Sequence, residues 1–372
     1  MGIEEIRETM DSCKHCYMCR HACPTFLATK LDSHTPRGYA LLLSEIDHGS
    51  QSWTPTVIDR FYQCSLCGLC KEDCAYHWAE DEVVRNAREE IVNHHIAPTR
   101  VAAIAQRIIT SGSPYENQRS TIEAASADIE KKDAKILYFA GCSTRQNHLE
   151  IISAVDKVLG SLKIDWTILK EEGCCGTPLW ELGYVEEAKR VAKETAERIS
   201  SLKPTILMSG CPHCIRAFSE LYPSWGIAFP ASVKIMHTSQ YFDLMLSQGK
   251  LKLRKNTLSR AIYHDPCQLG RKLGEYDAPR RLIKFVTGEN PVELFHSRQA
   301  AECCGAGSVM FLTDGKISKK VAASRMVSIS ESVSELLVTA CQNCKRALGE
   351  VQSSKSSNTQ VLDIVEIISR SI

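Results

Sequence analysis

The chain has 372 residues, room for two or three domains with their own cores. Lys and Arg number 45 against 44 Asp and Glu, so no global field favours nucleic acid or anionic lipid. The acidic, amphipathic opening excludes an ordinary signal peptide, and no apolar run reaches membrane-spanning length. The expected compartment is the cytoplasm, with any attachment to the inner face of a membrane made through partners. Eighteen cysteines remain to be explained. In a reducing compartment, clustered thiols hold metal more often than they form disulfides.

In chain order, residues 1–110 carry two cysteine clusters separated by helical sequence. Helices are expected over Tyr39 to Ile46, Asp81 to Asn93 and Thr99 to Thr110, from apolar residues at three- and four-residue spacing. The stretch 111–133 turns polar and reads as a linker. Two similar units follow, at 134–250 and 251–372. The first reads as a strand (Lys135 to Ala140), Cys142, a helix, a strand (Ile164 to Leu169), Cys174-Cys175-Gly176, a helix (about Glu181 to Ser200), a strand (Thr205 to Met208) and Cys211-Pro212-His213-Cys214. The second repeats the order. It runs through Arg260 to His264, Cys267, a helix (Ala278 to Thr287), Val292 to Phe295, Cys303-Cys304-Gly305, a helix (Ile317 to Ser330), Glu335 to Val338 and Cys341-Gln342-Asn343-Cys344. Corresponding cysteines lie 125 to 130 residues apart. This alternation predicts two tandem α/β units with parallel sheets, whose cysteines follow the strands at the end where open sheets gather ligands. The fold class is therefore α+β multidomain, with a helical N-terminal domain.

The first cluster is Cys13-x2-Cys16-x2-Cys19-x3-Cys23-Pro24 and the second Cys64-x2-Cys67-x2-Cys70-x3-Cys74. This is the run that bacterial ferredoxins use for cubane [4Fe–4S] clusters, the fourth cysteine ligating the other cluster. On that rule Cys13, Cys16, Cys19 and Cys74 hold one cubane, and Cys64, Cys67, Cys70 and Cys23 the second. Zinc has no use for this spacing twice over. Ala75 replaces the proline that usually follows the fourth cysteine, a position that shapes backbone and binds no iron. The long interval between the motifs implies a helical insertion, resembling the α-helical ferredoxin domain of succinate dehydrogenase-like iron–sulfur subunits.

Each later unit supplies five cysteines: Cys142, Cys174, Cys175, Cys211 and Cys214, then Cys267, Cys303, Cys304, Cys341 and Cys344. From each Cys-Cys-Gly to its CxxC lie 34 and 35 residues respectively. The arrangement resembles the CCG-domain family, which includes the catalytic subunit of heterodisulfide reductase, the small iron–sulfur subunit of anaerobic glycerol-3-phosphate dehydrogenase and the iron–sulfur subunit of glycolate oxidase. His264-Asp265-Pro266-Cys267-Gln268-Leu269-Gly270-Arg271 and Pro36-Arg37-Gly38 share in that resemblance. It implies one or two non-cubane [4Fe–4S] clusters in addition to the cubanes. Zinc or an ordinary cubane is the competing occupant, since soft thiolate sets accept several metals.

His15, His21, His213 and His264 lie in or beside the motifs, and are read as tuning groups that hydrogen-bond to sulfur or backbone. Arg37 and Arg271 are candidates to balance the clusters' charge. Gly305-Ala306-Gly307 is no dinucleotide fingerprint, and no Walker motif appears. The leading expectation is an iron–sulfur electron-transfer subunit of a flavin-dependent dehydrogenase or reductase. Its partner would be a flavoprotein dehydrogenase or an electron-transfer flavoprotein, and the far carrier a quinone (in the membrane, through a partner), a thiol/disulfide couple or another redox carrier. In the alternative, a non-cubane cluster reduces a disulfide, with Cys267, Cys303, Cys304, Cys341 and Cys344 as the candidate catalytic set. A zinc-stabilised scaffold or redox sensor is the third reading.

Overall fold

The computed structural model describes residues 3–14, 16–116, 128–255, 258–330, 334–353 and 359–372. Residues 117–127 of the expected linker and His15 lie outside them. The N-terminal region is helical. Pro36–Asp47 opens on Thr35, whose side chain accepts the Gly38 N–H, and Pro55–Phe61 opens likewise on Thr54. These pack with Glu80–Asn93 and Thr99–Ser111 around Tyr39, Leu43, Phe61, Val84 and Ile104. The short helices Met18–Ala22 and Leu69–Asp73 lie against each other, each ending at the last cysteine of a motif.

Among the described residues, eight strands form two wholly parallel sheets. The first takes β1 (Asp128–Ile129), β2 (Ile136–Tyr138), β3 (Trp166–Ile168), β4 (Ile206–Ser209) and β5 (Lys234–His237) in the order β1-β3-β2-β4-β5. The second takes β6 (Ala261–His264), β7 (Leu336–Thr339) and β8 (Gln360–Asp363) in that order. In register, β2 against β4 and β6 against β7 are the same pairing repeated, and β5 and β8 flank them alike. Both outer strands end in a residue that caps the next helix, His237 before Thr238–Ser247 and Asp363 before Ile364–Arg370. The two sheets do not stand apart. One apolar core runs from Ile136, Tyr138 and Ile206 through Tyr241 and Phe242 to Tyr263, Leu282, Val338 and Ile368.

Three details depart from the sequence reading. The expected strand Val292 to Phe295 is reduced to a single bridge, Ile262 to Val292, and Phe295 is 97% exposed. Its counterpart β3 is held from both sides, by β1 and β2, whereas no described strand lies beyond Val292, and Glu293 is taken by Arg280. The long helix expected from Glu181 is broken into Thr177–Leu182 and Val185–Ser201. At the break Gly183 has φ +99, and a Cβ there would lie 2.3 Å from the Arg88 carbonyl oxygen. The break thus seats the N-terminal helices against the first unit. Finally, β1, β5 and β8 carry no sequence signal that marked them in advance. Among the described residues no helix is long and apolar enough to cross a membrane.

Candidate metal centres

None of the eighteen cysteines is in a disulfide. Cys16 is exposed, Cys13, Cys64 and Cys142 are half-buried, and the others are buried. The first ferredoxin-type set draws together Cys13, Cys16 and Cys19, close enough for their charges to interact, and the backbone N–H of Arg37 points at the Cys19 thiol. Cys74 ends the helix that packs on theirs. Arg37 stacks on Tyr17 at 4.4 Å, so Pro36-Arg37-Gly38 belongs to this set. His21, also read as a tuning group, is exposed here. In the second set Cys23, Cys64, Cys67 and Cys70 line one cavity, with Pro24, Tyr39 and Val84. Leu66 (φ 49) and Gly68 (φ 72) turn the loop around it, and the Leu66 N–H donates to Cys64 Sγ at 3.4 Å.

Each five-cysteine set forms one contiguous group. In the first unit Cys174, Cys175, Cys214 and Cys211 touch in sequence, with Cys142 beside Cys175 and Cys211. In the second unit Cys267, Cys303, Cys304, Cys344 and Cys341 do the same. The glycine after each Cys-Cys pair donates its N–H back to sulfur, Gly176 to Cys174 at 3.4 Å and Gly305 to Cys303 at 3.3 Å. Both glycines have positive φ, and a Cβ at Gly305 would meet the Ser318 carbonyl at 2.6 Å. His264 brings a ring nitrogen to within 4.8 Å of the Cys304 and Cys344 sulfurs. Its Nε2 is buried without a hydrogen-bond partner, while Arg325 Nε approaches its Nδ1.

The sets are also contiguous with one another. Cys67 of the ferredoxin region touches Cys303 of the second unit, and both lie in one small cluster with Cys267. Arg271 spans the seam, donating to the Cys67 carbonyl at 2.8 Å and to that of Ala301, while Lys272 pairs with Asp81 at 2.5 Å. Gly307 allows the second unit to press on Ser65, whose carbonyl would sit 2.3 Å from a Cβ. Between the two units His213 contacts both Cys211 and Cys341. Its imidazole stands 3.8 Å from the buried Glu181 carboxylate.

The donor chemistry suits polynuclear iron. Burial pushes Cys19 up to about 11 and Cys64 up to about 12, so thiolates at these positions require a compensating cation. Three buried arginines, which sequence reasoning missed, stand near the sets. Arg88 donates to the carbonyls of Phe61 (2.9 Å), Cys64 (2.6 Å) and Glu181 (2.8 Å) and to Ser308 Oγ. Arg145 donates to the carbonyls of Lys170 and Leu169, and Arg325 to that of His296. None of the Arg88 hydrogen bonds is to a carboxylate, so its charge is available to anionic clusters. Glu172 holds the turn before Cys142, accepting from the Ala140 and Gly141 N–H groups at 2.6 and 2.5 Å, and burial raises its carboxyl to about 7. A signal for two of the arginines was present: Val84, Arg88 and Ile91, and Val321, Arg325 and Ile329, share apolar helix faces.

Fold and cysteine geometry together define a multi-centre iron–sulfur protein. A cysteine-rich domain model matches residues 136–219 and 261–349, and a 4Fe-4S dicluster domain model matches residues 9–78. The chain thus carries two copies of the CCG cysteine-rich domain behind a 4Fe-4S dicluster domain. It is 28% identical to a component of the dihydromethanophenazine:CoB–CoM heterodisulfide reductase of Methanosarcina acetivorans, over 98% of this chain and 94% of that protein. It is 22% identical to EtfAB:quinone oxidoreductase of Syntrophomonas wolfei, over 99% of this chain and 60% of that protein. In fold it is similar to a hypothetical protein from Helicobacter pylori, with a TM-score of 0.63 and 9% identity, over 99% of this chain and 72% of that one.

Proposed function

We propose that this chain is the iron–sulfur electron-transfer subunit of a flavin-dependent dehydrogenase or reductase. Its partner is a flavoprotein dehydrogenase or an electron-transfer flavoprotein, and its far carrier a quinone, a thiol/disulfide couple or another small redox molecule. The names of the two relatives, one pairing Etf with quinone and one acting on a disulfide, support that range. When bound, iron–sulfur clusters supply one-electron carriers. Cys13, Cys16, Cys19 and Cys74 would hold one cubane, Cys23, Cys64, Cys67 and Cys70 the other, and the two five-cysteine sets would hold further, non-cubane clusters.

One observation carries this reading: the sets form a succession, the first two on the packed helices Met18–Ala22 and Leu69–Asp73 and the later ones joined by contacts. Cys67 against Cys303 joins the ferredoxin region to the second unit, and His213 joins that unit to the first. Exchange with a small molecule is assigned to the five-cysteine sets, of which Cys267, Cys303, Cys304, Cys341 and Cys344 are the candidate catalytic set. The test is anaerobic stopped-flow reduction of the holoprotein by a reduced flavoprotein, in parallel with Cys67→Ser. The substitution should leave reduction of the first cubane intact and slow reduction of the centres beyond it. Equal rates throughout would overturn the order, and a colourless protein holding zinc would overturn the function.

A further inference from the structure

The two five-cysteine units correspond residue by residue. Phe139 and His264 each stand three positions before the first cysteine of their unit. The strand pairing bears out that match, since Ile136 on Ile206 and Ala261 on Leu336 are the same register. Likewise Gly176 lies against the Ala188 carbonyl and Gly305 against that of Ser318. Thr195 and Arg325, both seven residues further on, therefore occupy one place on the helices Val185–Ser201 and Gly315–Ser330. The second unit thus carries a buried imidazole and a buried guanidinium where the first carries a phenyl ring and a hydroxyl.

Phe139 shares an apolar cluster with Cys175 and Cys214 and meets Phe218 edge-on at 5.0 Å, while Thr195 donates to the Cys174 carbonyl. At the matching place His264 holds a ring nitrogen within 4.8 Å of the Cys304 and Cys344 sulfurs. Arg325 Nε donates to His264 Nδ1 at 3.5 Å. A guanidinium keeps its protons, so Nδ1 is the accepting nitrogen and the ring's one proton sits on Nε2. That Nε2–H is buried and has no hydrogen-bond partner. A buried donor left unpaired is costly, and the acceptors beside it are the cysteine sulfurs and the sulfide of the cluster they would hold. Glu302, 3.6 Å from Arg325, offsets the guanidinium charge, as Glu172 offsets that of Arg145 at 3.8 Å in the first unit. His213 contacts a cysteine of each unit and favours neither. What distinguishes the units is the donor at His264.

We propose that His264, its tautomer fixed by Arg325, donates its Nε2–H to the cluster of the second unit and holds that centre at a higher reduction potential than the centre of the first. A hydrogen bond strengthens as its acceptor gains negative charge, so this donor favours the reduced cluster. The inference rests on the iron–sulfur reading above and adds that the duplicated centres are unequal. Electrons arriving from the ferredoxin region past Cys67 settle in the second unit before they pass to the first. His264 is a positioning residue for that cluster and not one of its ligands.

A potentiometric titration of the anaerobic holoprotein, followed by electron paramagnetic resonance, tests this without turnover. The variants are His264→Phe, which copies the first unit, and His264→Gln, which keeps an N–H donor. In His264→Phe one midpoint should fall by about 59 mV, an about ten-fold change in a one-electron equilibrium, while the other midpoints stay in place. His264→Gln should restore part of that fall. Cys142→Ser, which disables the first unit, should remove a midpoint that lies below the affected one. Pulsed resonance on a parent carrying nitrogen-15-labelled histidine should show a nitrogen coupling that both variants lack, so either variant decides should the other fail to assemble its clusters. A histidine with a purely structural role would move none of these. Unmoved midpoints at parental iron content, a nitrogen coupling unchanged by the substitution, or a midpoint removed from above the affected one would each overturn the proposal. A colourless zinc protein would sink the iron–sulfur reading as a whole, whereas a brown protein with unmoved midpoints sinks this inference alone.

Discussion

Replacing Arg88 with methionine tests how the ferredoxin region is fixed to both α/β units. Arg88 is fully buried and ties Phe61 and Cys64 in its own region to Glu181 in the first unit and Ser308 in the second. Methionine fills much of the volume and supplies none of the donors. Three carbonyls then lose a charged partner, and at about 1–3 kcal/mol for each buried acceptor left unpaired, water reaching some of them, the loss is about 3–6 kcal/mol. That is a large part of a typical domain's stability. Anaerobic guanidinium unfolding of the holoprotein, followed by visible absorbance and by far-ultraviolet dichroism, should show a midpoint well below the parent's. The removed positive charge beside Cys64 should also lower the reduction potential of the cluster proposed at Cys23, Cys64, Cys67 and Cys70, read by an electron paramagnetic resonance titration. A loss below about 1 kcal/mol with an unshifted potential would refute the view that one buried cation serves both purposes.

Three further outcomes are expected. Gly183→Ala should cost about 2 kcal/mol or more, because φ is +99 and the new Cβ would meet the Arg88 carbonyl at 2.3 Å, whereas Gly160→Ala, in an open helical position, should be neutral or stabilising in the same thermal melt. Burial depresses the His237 imidazole to about 4, against hydrogen bonding to the Gly210 and Ala340 carbonyls. The unfolded chain takes up the proton first, so His237 contributes stability above about pH 6.5, lost as pH falls towards 4 and worth about 3 kcal/mol over that span. His237→Asn keeps an N-cap side chain, and its unfolding free energy should fall less steeply than the parent's between those pH values; parallel curves would remove His237 from the account. The anaerobically purified parent should carry about sixteen irons in four clusters, and Cys142→Ser should lower this towards about twelve while the ferredoxin-type signals persist.

Much of the chemistry was legible from spacing alone. The two Cys-x2-Cys-x2-Cys-x3-Cys runs and the duplicated Cys-Cys-Gly units announce thiolate-ligated centres, because ligands for one small inorganic body must come from turns only a few residues long. The alternation of apolar runs likewise predicted β2, β3, β4, β6 and β7 and the helices between them. It overstated Val292 to Phe295, where local pattern was sufficient but a second neighbouring strand was missing. It passed over β5 and β8, whose half-polar sequences become strands only because β4 and β7 offer free edges to pair with.

What the sequence by itself determined is therefore which cysteines cluster and roughly which segments carry them, since both follow from short-range spacing. Only the tertiary structure decided the sequence of the sets in space: Cys67 on Cys303, His213 between Cys211 and Cys341, and Arg88 and Arg271 reaching across domain seams. Those contacts join residues more than a hundred positions apart in most cases, and they depend on how the buried faces of separate units fit together. No local pattern encodes that fit.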